Sequence, residues 1–352
     1  MDVCVACDER REAILEAAAL DAVEDLVGSI VGVEKAPDEI LPFELNLFAA
    51  LRGEFRTFVR EFLRDDQVRD LIARMADPAS HVALPGVKRQ VAQHVLDAFH
   101  DLAGQRLGVE FAAAVEVDVG RELEAMYAGS RKAAAGAVGL PADTFTVADA
   151  NSLGVLQRHN LYWIRTNYAR NVRDGIERAT AEAIGQGLGR RALADELRRR
   201  LGERFALADH HWLTIASASL NRTRNVAQVR TYEIAEITHY EILVVNDKRL
   251  CPTCEYMDGR VFSVETALAV VSELEAADTP EDVKRLMPWL RWDEARQAPY
   301  TRIGGRRVDL PRGGADSARA NRDVEKIAPL PPYHGRCRCT TVASVETVRR
   351  PA

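Results

Sequence analysis

The sequence predicts a mainly α-helical protein that closes with a small α+β module, and three observations carry that reading. Apolar residues recur at three- and four-residue spacing, with few turn signals, from about residue 9 to 127 and again from 153 to 236. Short β-branched and aromatic runs replace this pattern after residue 237. Cysteine and histidine then concentrate in two places, KRLCPTCEY and PPYHGRCRC, about eighty residues apart.

A chain of 352 residues with 47% apolar content is long enough for a sizeable core and for two or three domains. Charged residues make up 28% and the formal net charge is -6, which excludes a simple polycation, so any nucleic-acid contact must be local. No stretch of eighteen apolar residues occurs, and MDVCVACDERREAI lacks the basic-then-apolar order of a signal peptide. The chain therefore reads as cytoplasmic in its producing cell, with no membrane partner. In a reducing compartment the pairs Cys4/Cys7, Cys251/Cys254 and Cys337/Cys339 read as metal ligands or free thiols rather than a disulfide framework.

Residues 1–127 form an N-terminal helical region. Its clearest helix is FELNLFAALRGEFRTFVREFL, where Phe48, Leu51, Phe55, Phe58 and Phe62 share a face, and Asp77-Pro78 and Leu84-Pro85-Gly86 break the next segment into helical hairpins. Residues 128–150, rich in small residues, Gly and Pro, are expected to be a linker. A helical domain with a basic surface comes next at 151–236: a long helical run to the glycines of GQGLG at 185–189, a second helix in RRALADELRRRLGERF, and a third over 210–236. From Gly185 to Arg230 arginines outnumber acids nine to four, the acids being Asp195, Glu196, Glu203 and Asp209. A solvated helix face is the plain reading of that excess, and a phosphate-tracking surface is the alternative.

Residues 237–352 make the C-terminal module. HYEILVVND and MDGRVFSV, the latter with an Asp258-Gly259 turn, predict a hairpin or small sheet over 240–264. Helix returns over 265–290, broken at 278–281 and ended near Pro288; 298–330 reads as basic loop, and TTVASVETV as a final strand.

Cys251-Pro-Thr-Cys254 has the spacing of a metal knuckle, in which a tight turn aims two thiolates at one ion. His334, Cys337 and Cys339 supply the second half, and tetrahedral zinc suits a mixed thiolate and imidazole set, with one of the five donors surplus. Such a zinc would staple two loop-rich segments too small to bury a core of their own. Three rivals stand beside it: a redox pair, for which the βαβ context is missing; a catalytic Cys with His334, for which no third orienting residue is identified; and a disulfide formed after release from the cell. Asp247, Glu255 and Asp258 are near enough in sequence to serve a catalytic metal, but each also suits a turn. Cys4-Val-Ala-Cys7 has knuckle spacing without a partner pair, and free thiols are its default.

The run ASASLNRTRNVAQVRTYEIAEITHYEILVVNDKRLCPTCEYMDGRVF, with LPPYHGRCRCTTV after it, resembles the Mu F-like phage head morphogenesis proteins, also called minor head or minor capsid proteins. The shared features are Arg222-Thr223 on a helix, Asp247 with Cys251 and Cys254, Asp258-Gly259, and Pro331 to Cys339. The resemblance covers roughly residues 150–345. It departs from the family pattern at Arg224, where an acidic residue usually comes after Arg-Thr. It implies a structural, non-enzymatic component of the virion, placed at the portal vertex inside the capsid and made in the host cytoplasm. Its implied partners are the portal protein, capsid or scaffold proteins and packaged DNA held without sequence preference, with a part in assembly, DNA packaging or ejection. Rival functions are a toxin-like hydrolase or transferase in the first third, where no nucleophile–base pair or phosphate loop is visible, and a zinc-dependent nucleic-acid binder. The predicted fold class is thus mainly α-helical with a small C-terminal α+β zinc-stapled module.

Overall fold

The computed structural model describes residues 41–75, 97–98, 101–102, 104–141, 145–161, 164, 190–246, 250–277 and 279–344. The chain divides into two compact units, Met1–Glu39 with Asn246–Leu250, and Ile40–Val245 with Cys251–Ala352; every element named below belongs to the second. The expected hairpins after Asp77 and Leu84, the glycine stop at 185–189, Asp247 and the Cys4/Cys7 pair lie outside the described residues.

Helix α1 spans Leu41–Arg64 and α2 Asp66–Met75. Between them Asp65 accepts hydrogen bonds from the amides of Gln67 and Val68, an N-cap that lets the chain turn and restart. A π-helical turn, Gly104–Glu110, runs directly into α3, Phe111–Ala137. Residues 147–161 form α4, begun by Thr146 and Asp149: each caps the other's amide, as a capping box does. Helix α5, Arg190–Ile234, is 45 residues long.

The apolar stripe expected on α1 is the core face, with Phe48, Leu51, Phe55 and Phe62 all buried. It meets α3 and α5 through three fully buried rings: Phe55 lies 5.6 Å from Phe111 and 5.7 Å from Trp212, and Phe111 lies 5.4 Å from Trp212. Such edge-on and tilted aromatic contacts add roughly 0.5–1.5 kcal/mol each to the area they bury. Deeper along the same helices, Arg131 of α3 pairs with Asp149 at 3.1 Å and donates to Thr231 of α5, while Tyr127 donates to Asp149 at 2.7 Å.

These contacts correct three expectations. Residues 128–137 are not linker but the last turns of α3, with Ser130, Arg131, Ala134 and Ala135 buried; alanine is the strongest helix former, and the open space around Gly129 and Gly136 lets the helix carry them. Packing also crosses the expected border at 127, since α1, α3 and α5 share one core. The two helices expected over 190–236 are one, because ERFALADHHW at 203–212 contains neither Gly nor Pro to break it.

The arginine excess of 185–230 is also less superficial than expected. Arg222, Arg224 and Arg230 are buried. Arg230 holds Glu275 at 2.7 Å and Glu233 at 3.0 Å, and Ser152 of α4 joins the Glu275 carboxylate. These bonds tie α4 and α5 to the C-terminal module.

The module holds two antiparallel three-stranded sheets. In the first, β1 (His239–Leu243) lies between β2 (Val261–Ser263) and β6 (Thr340–Ala343), so the expected strand pair over 240–264 is present and the run beginning at Thr340 completes it. The register sets Tyr240 opposite Phe262 and Glu241 opposite Val342. Helix α6 (Pro252–Met257) fills the β1–β2 connection, and Gly259, at φ 69°, closes its turn by donating to the carbonyl of Ile242. Helices α7 (Val264–Glu275) and α8 (Pro280–Leu286) are capped by Ser263 and Thr279 and split where the sequence predicts.

The stretch expected as basic loop is ordered instead. Strands β3 (Arg291–Asp293), β4 (Ala298–Ile303) and β5 (Arg306–Asp309) form the second sheet, and α9 spans Ala318–Glu325. Arg260, fully buried, organises the connection: it donates to the carbonyls of Tyr256 and Gly313 and to Asn321 of α9, with its guanidinium 4.0 Å above the Tyr256 ring. A guanidinium satisfied by carbonyls lets a loop-rich segment fold without an apolar core of its own.

Candidate metal centre

Cys251 ends the chain's approach to α6 as its N-cap, and Pro252 at the first helical position fixes the helix's opening turn. The Cys254 amide donates to Cys251 Sγ at 3.4 Å, which turns both sulfurs to one side of the helix start. The pair thus sits at a helix N-terminus, but the flanking strands β1 and β2 are antiparallel and form no βαβ unit.

The second half arrives on the loop before β6. Tyr333 is fully buried, and its carbonyl accepts from the Leu290 amide at 2.7 Å. A tight turn returns the Cys337 amide to the His334 carbonyl. Gly335 makes that turn possible beside α5, because a Cβ there would stand 2.5 Å from Thr214 Cγ2 and 3.2 Å from the Trp289 ring. The Pro331–Pro332 peptide bond is cis.

All five donors singled out in the sequence converge. His334 Nε2 lies 3.2 Å from Cys251 Sγ and 3.0 Å from Cys254 Sγ, and Cys254 Sγ lies 4.0 Å from Cys337 Sγ. Two overlapping triads result, Cys251/Cys254/His334 and Cys254/Cys337/Cys339, each with its donor atoms within 4.8 Å of one another. Cys254 is the member they share. Four tetrahedral ligands around zinc, with metal–sulfur bonds of about 2.3 Å, hold their sulfurs about 3.8 Å apart, so the donors are already near ligand spacing.

Protons are unevenly shared among these groups. The Cys251 thiol is pulled down to about 4, chiefly by its hydrogen bond with Cys254, against burial and with help from His334. Cys254 is pushed far up, first by that same bond, then by Cys337 and Cys339. Burial works against ionising Cys337, yet bonds from Cys254 and Cys339 and the nearby His334 hold it well below the usual thiol value. The bond with Cys254 pulls Cys339 down, but Cys337 and burial outweigh it and leave Cys339 high. The His334 imidazole is raised despite burial, because thiolate character at Cys251 and Cys337 favours its charged form. A cluster of buried sulfurs that stabilises anions in this way has the chemistry of a cation site.

No carboxylate enters either triad. Glu255 is exposed, and Asp258 accepts from the Val244 amide as a turn residue would. Cys254, Cys337 and Cys339 are each at most 6% exposed, which suits a closed structural site better than a catalytic one with an open coordination position.

The support for this loop comes from residues that the sequence reading missed. On α5, Asn221, Arg224 and Asn225 all donate to the Cys339 carbonyl, at 3.0, 3.1 and 3.3 Å, and Arg224 also donates to that of Arg338. Asn225 accepts the Thr341 amide, Gln228 accepts both the Thr340 and Thr341 hydroxyls, and Tyr232 donates to the Thr341 carbonyl. The signal was present as a polar stripe at Asn221, Asn225, Gln228 and Tyr232, spaced as one helix face. Arg224, which departs from the acidic family pattern, is thereby occupied with backbone carbonyls. Arg222, two residues earlier, is buried with Nε unpartnered, and desolvation lowers its pKa to about 10.

Among the described residues no helix is long and apolar enough to cross a membrane. Residues 174–342 match the family model described as Phage Mu protein F like protein. No curated protein and no solved structure matches the chain.

Proposed function

We propose, from the Mu F-like character of residues 174–342, that the protein is a minor head protein that works in phage head morphogenesis at the portal vertex, inside the capsid. The observation that carries the reading is that the matched stretch contains α5 from its start, both triads and the polar stripe that supports them. The head-morphogenesis role comes from the family; the portal as direct partner, together with a part in packaging or ejection, is the finer reading.

In this reading the Cys/His cluster is architectural. Four of Cys251, Cys254, His334, Cys337 and Cys339 hold one zinc ion, which fastens α6 to the loop entering β6 and so fixes the module on α5. The chain's own residues do the remaining work: Cys251 and Cys337 supply anionic sulfur, and Asn221, Arg224 and Asn225 hold the loop in place. No catalytic role is assigned to any residue.

Co-expression with the portal, capsid and scaffold proteins of the same phage tests the proposal. The expected result is co-purification with the portal ring and a few copies per assembled capsid. Capsids that fill normally and never contain this protein would sink it.

A further inference from the structure

Two exposed arginines without a carboxylate partner among the described residues, Arg302 and Arg306, sit together at one end of the second sheet. Strands β4 and β5 meet in the turn Ile303-Gly304-Gly305-Arg306, whose glycines have φ of 57° and 80°. Nothing lies within 4 Å of the place a Cβ would take on either glycine, so the tip stands clear of the rest of the described chain. Arg302, Arg306 and Arg307 surround it and are all exposed. Arg302 sits directly opposite Arg307 in the register, a like-charge pairing that disfavours a strand pair on its own.

Arg307 is fixed by Asp293 and Asp309, each at 2.5 Å, and lies 3.9 Å above the Tyr300 ring. Among the described residues, Arg302 and Arg306 have no carboxylate within ion-pair distance. No large apolar side chain of residues 291–310 is exposed. Protein-binding patches centre on apolar and aromatic groups, whereas DNA-binding surfaces are polar and positive. In a chain of net charge -6, an arginine-tipped ribbon of this kind fits phosphates.

We propose that the β4–β5 hairpin tip contacts the phosphate backbone of duplex DNA through Arg302 and Arg306, with Arg307 held beside them. The contact positions the module without reading sequence. It does not depend on portal binding, and its test is separate from co-purification with the portal ring.

Fluorescence anisotropy of a labelled duplex of about 30 base pairs and arbitrary sequence, titrated with the full chain over a salt series, tests it. Each phosphate contact contributes about 0.9 to the slope of log affinity on log salt. The double variant Arg302→Glu/Arg306→Glu is expected to bind at least about tenfold more weakly at ~50 mM salt and to lose about two units of that slope. The charge-matched control Arg285→Glu/Lys326→Glu, on α8 and just past α9, is expected to bind as the wild type does. Circular dichroism confirms that both fold. Absence of DNA binding by the wild-type chain overturns the proposal, as does equal weakening in both variants. Unchanged DNA binding by the Arg302→Glu/Arg306→Glu variant also overturns it.

Discussion

Cys254 Sγ lies 3.0 Å from His334 Nε2, joining two segments eighty residues apart in the chain. Cys254 belongs to both donor triads, so its loss disrupts more of the cluster than any other single change. Metal analysis of the purified protein is expected to find about one zinc per chain, and Cys254→Ser to remove it. Chelation is expected to lower the midpoint of thermal unfolding, since binding free energy at such sites is folding free energy. Cys339→Ser separates the surplus donor from the set: retained metal assigns Cys339 to support, and lost metal assigns it to coordination.

The close approach of Gly335 to Thr214 gives a second prediction. Gly335→Ala places a methyl 2.5 Å from Thr214 Cγ2, and overpacking of this kind costs roughly 1–3 kcal/mol. Thr214→Ser removes the opposing methyl and is expected to restore part of the loss in the Gly335→Ala background. Urea unfolding of the four proteins of this cycle reads the coupling directly.

Arg131 and Asp149 form an ion pair with side chains 6% and 1% exposed, and Tyr127 donates to the same carboxylate. Asp149→Ala removes the carboxylate shared by a buried guanidinium and a buried phenol, and is expected to destabilise by about 3–5 kcal/mol. A urea midpoint within experimental error of the wild type would show that the pair is not a tie between α3, α4 and α5.

Arg222 gives a prediction of the opposite sign. Its folded-state pKa, lowered by desolvation to about 10, lies below the solution value, so the charged form is the one that folding penalises at every pH below about 10. A drop of that size corresponds to a cost on the order of 3 kcal/mol at neutral pH. Arg222→Met is therefore expected to raise the unfolding midpoint at pH 7, and a lowered midpoint would reveal an anionic partner for this guanidinium.

How far the sequence could be read depended on the length of each signal. A run of phenylalanines and leucines at helical spacing announced α1, and the break at 278–281 separated α7 from α8. The five metal donors were legible because Cys and His are rare here and their spacing is chemically constrained. The supporting stripe on α5 was not, because Asn221, Asn225 and Gln228 look like solvated residues until the segment they bind is in place. Arg222, Arg224 and Arg230 were misread for the same reason: burial by elements distant in the chain leaves no local mark on an arginine. The β3–β4–β5 sheet was hidden by its composition, since Gly-Gly and arginines resemble loop while cross-strand pairs define the hairpin.

The pairing of β1 with β6 sets an order of events during synthesis. Tyr240 faces Ala343 across the sheet, so β1 leaves the ribosome on the order of a hundred residues before its partner, a delay of roughly 5–20 s at ordinary rates of translation. Throughout that interval Cys251 and Cys254 wait without His334 and Cys337, open to oxidation or to a passing ion. Premature termination before His334 in that window would leave the thiols permanently unmatched.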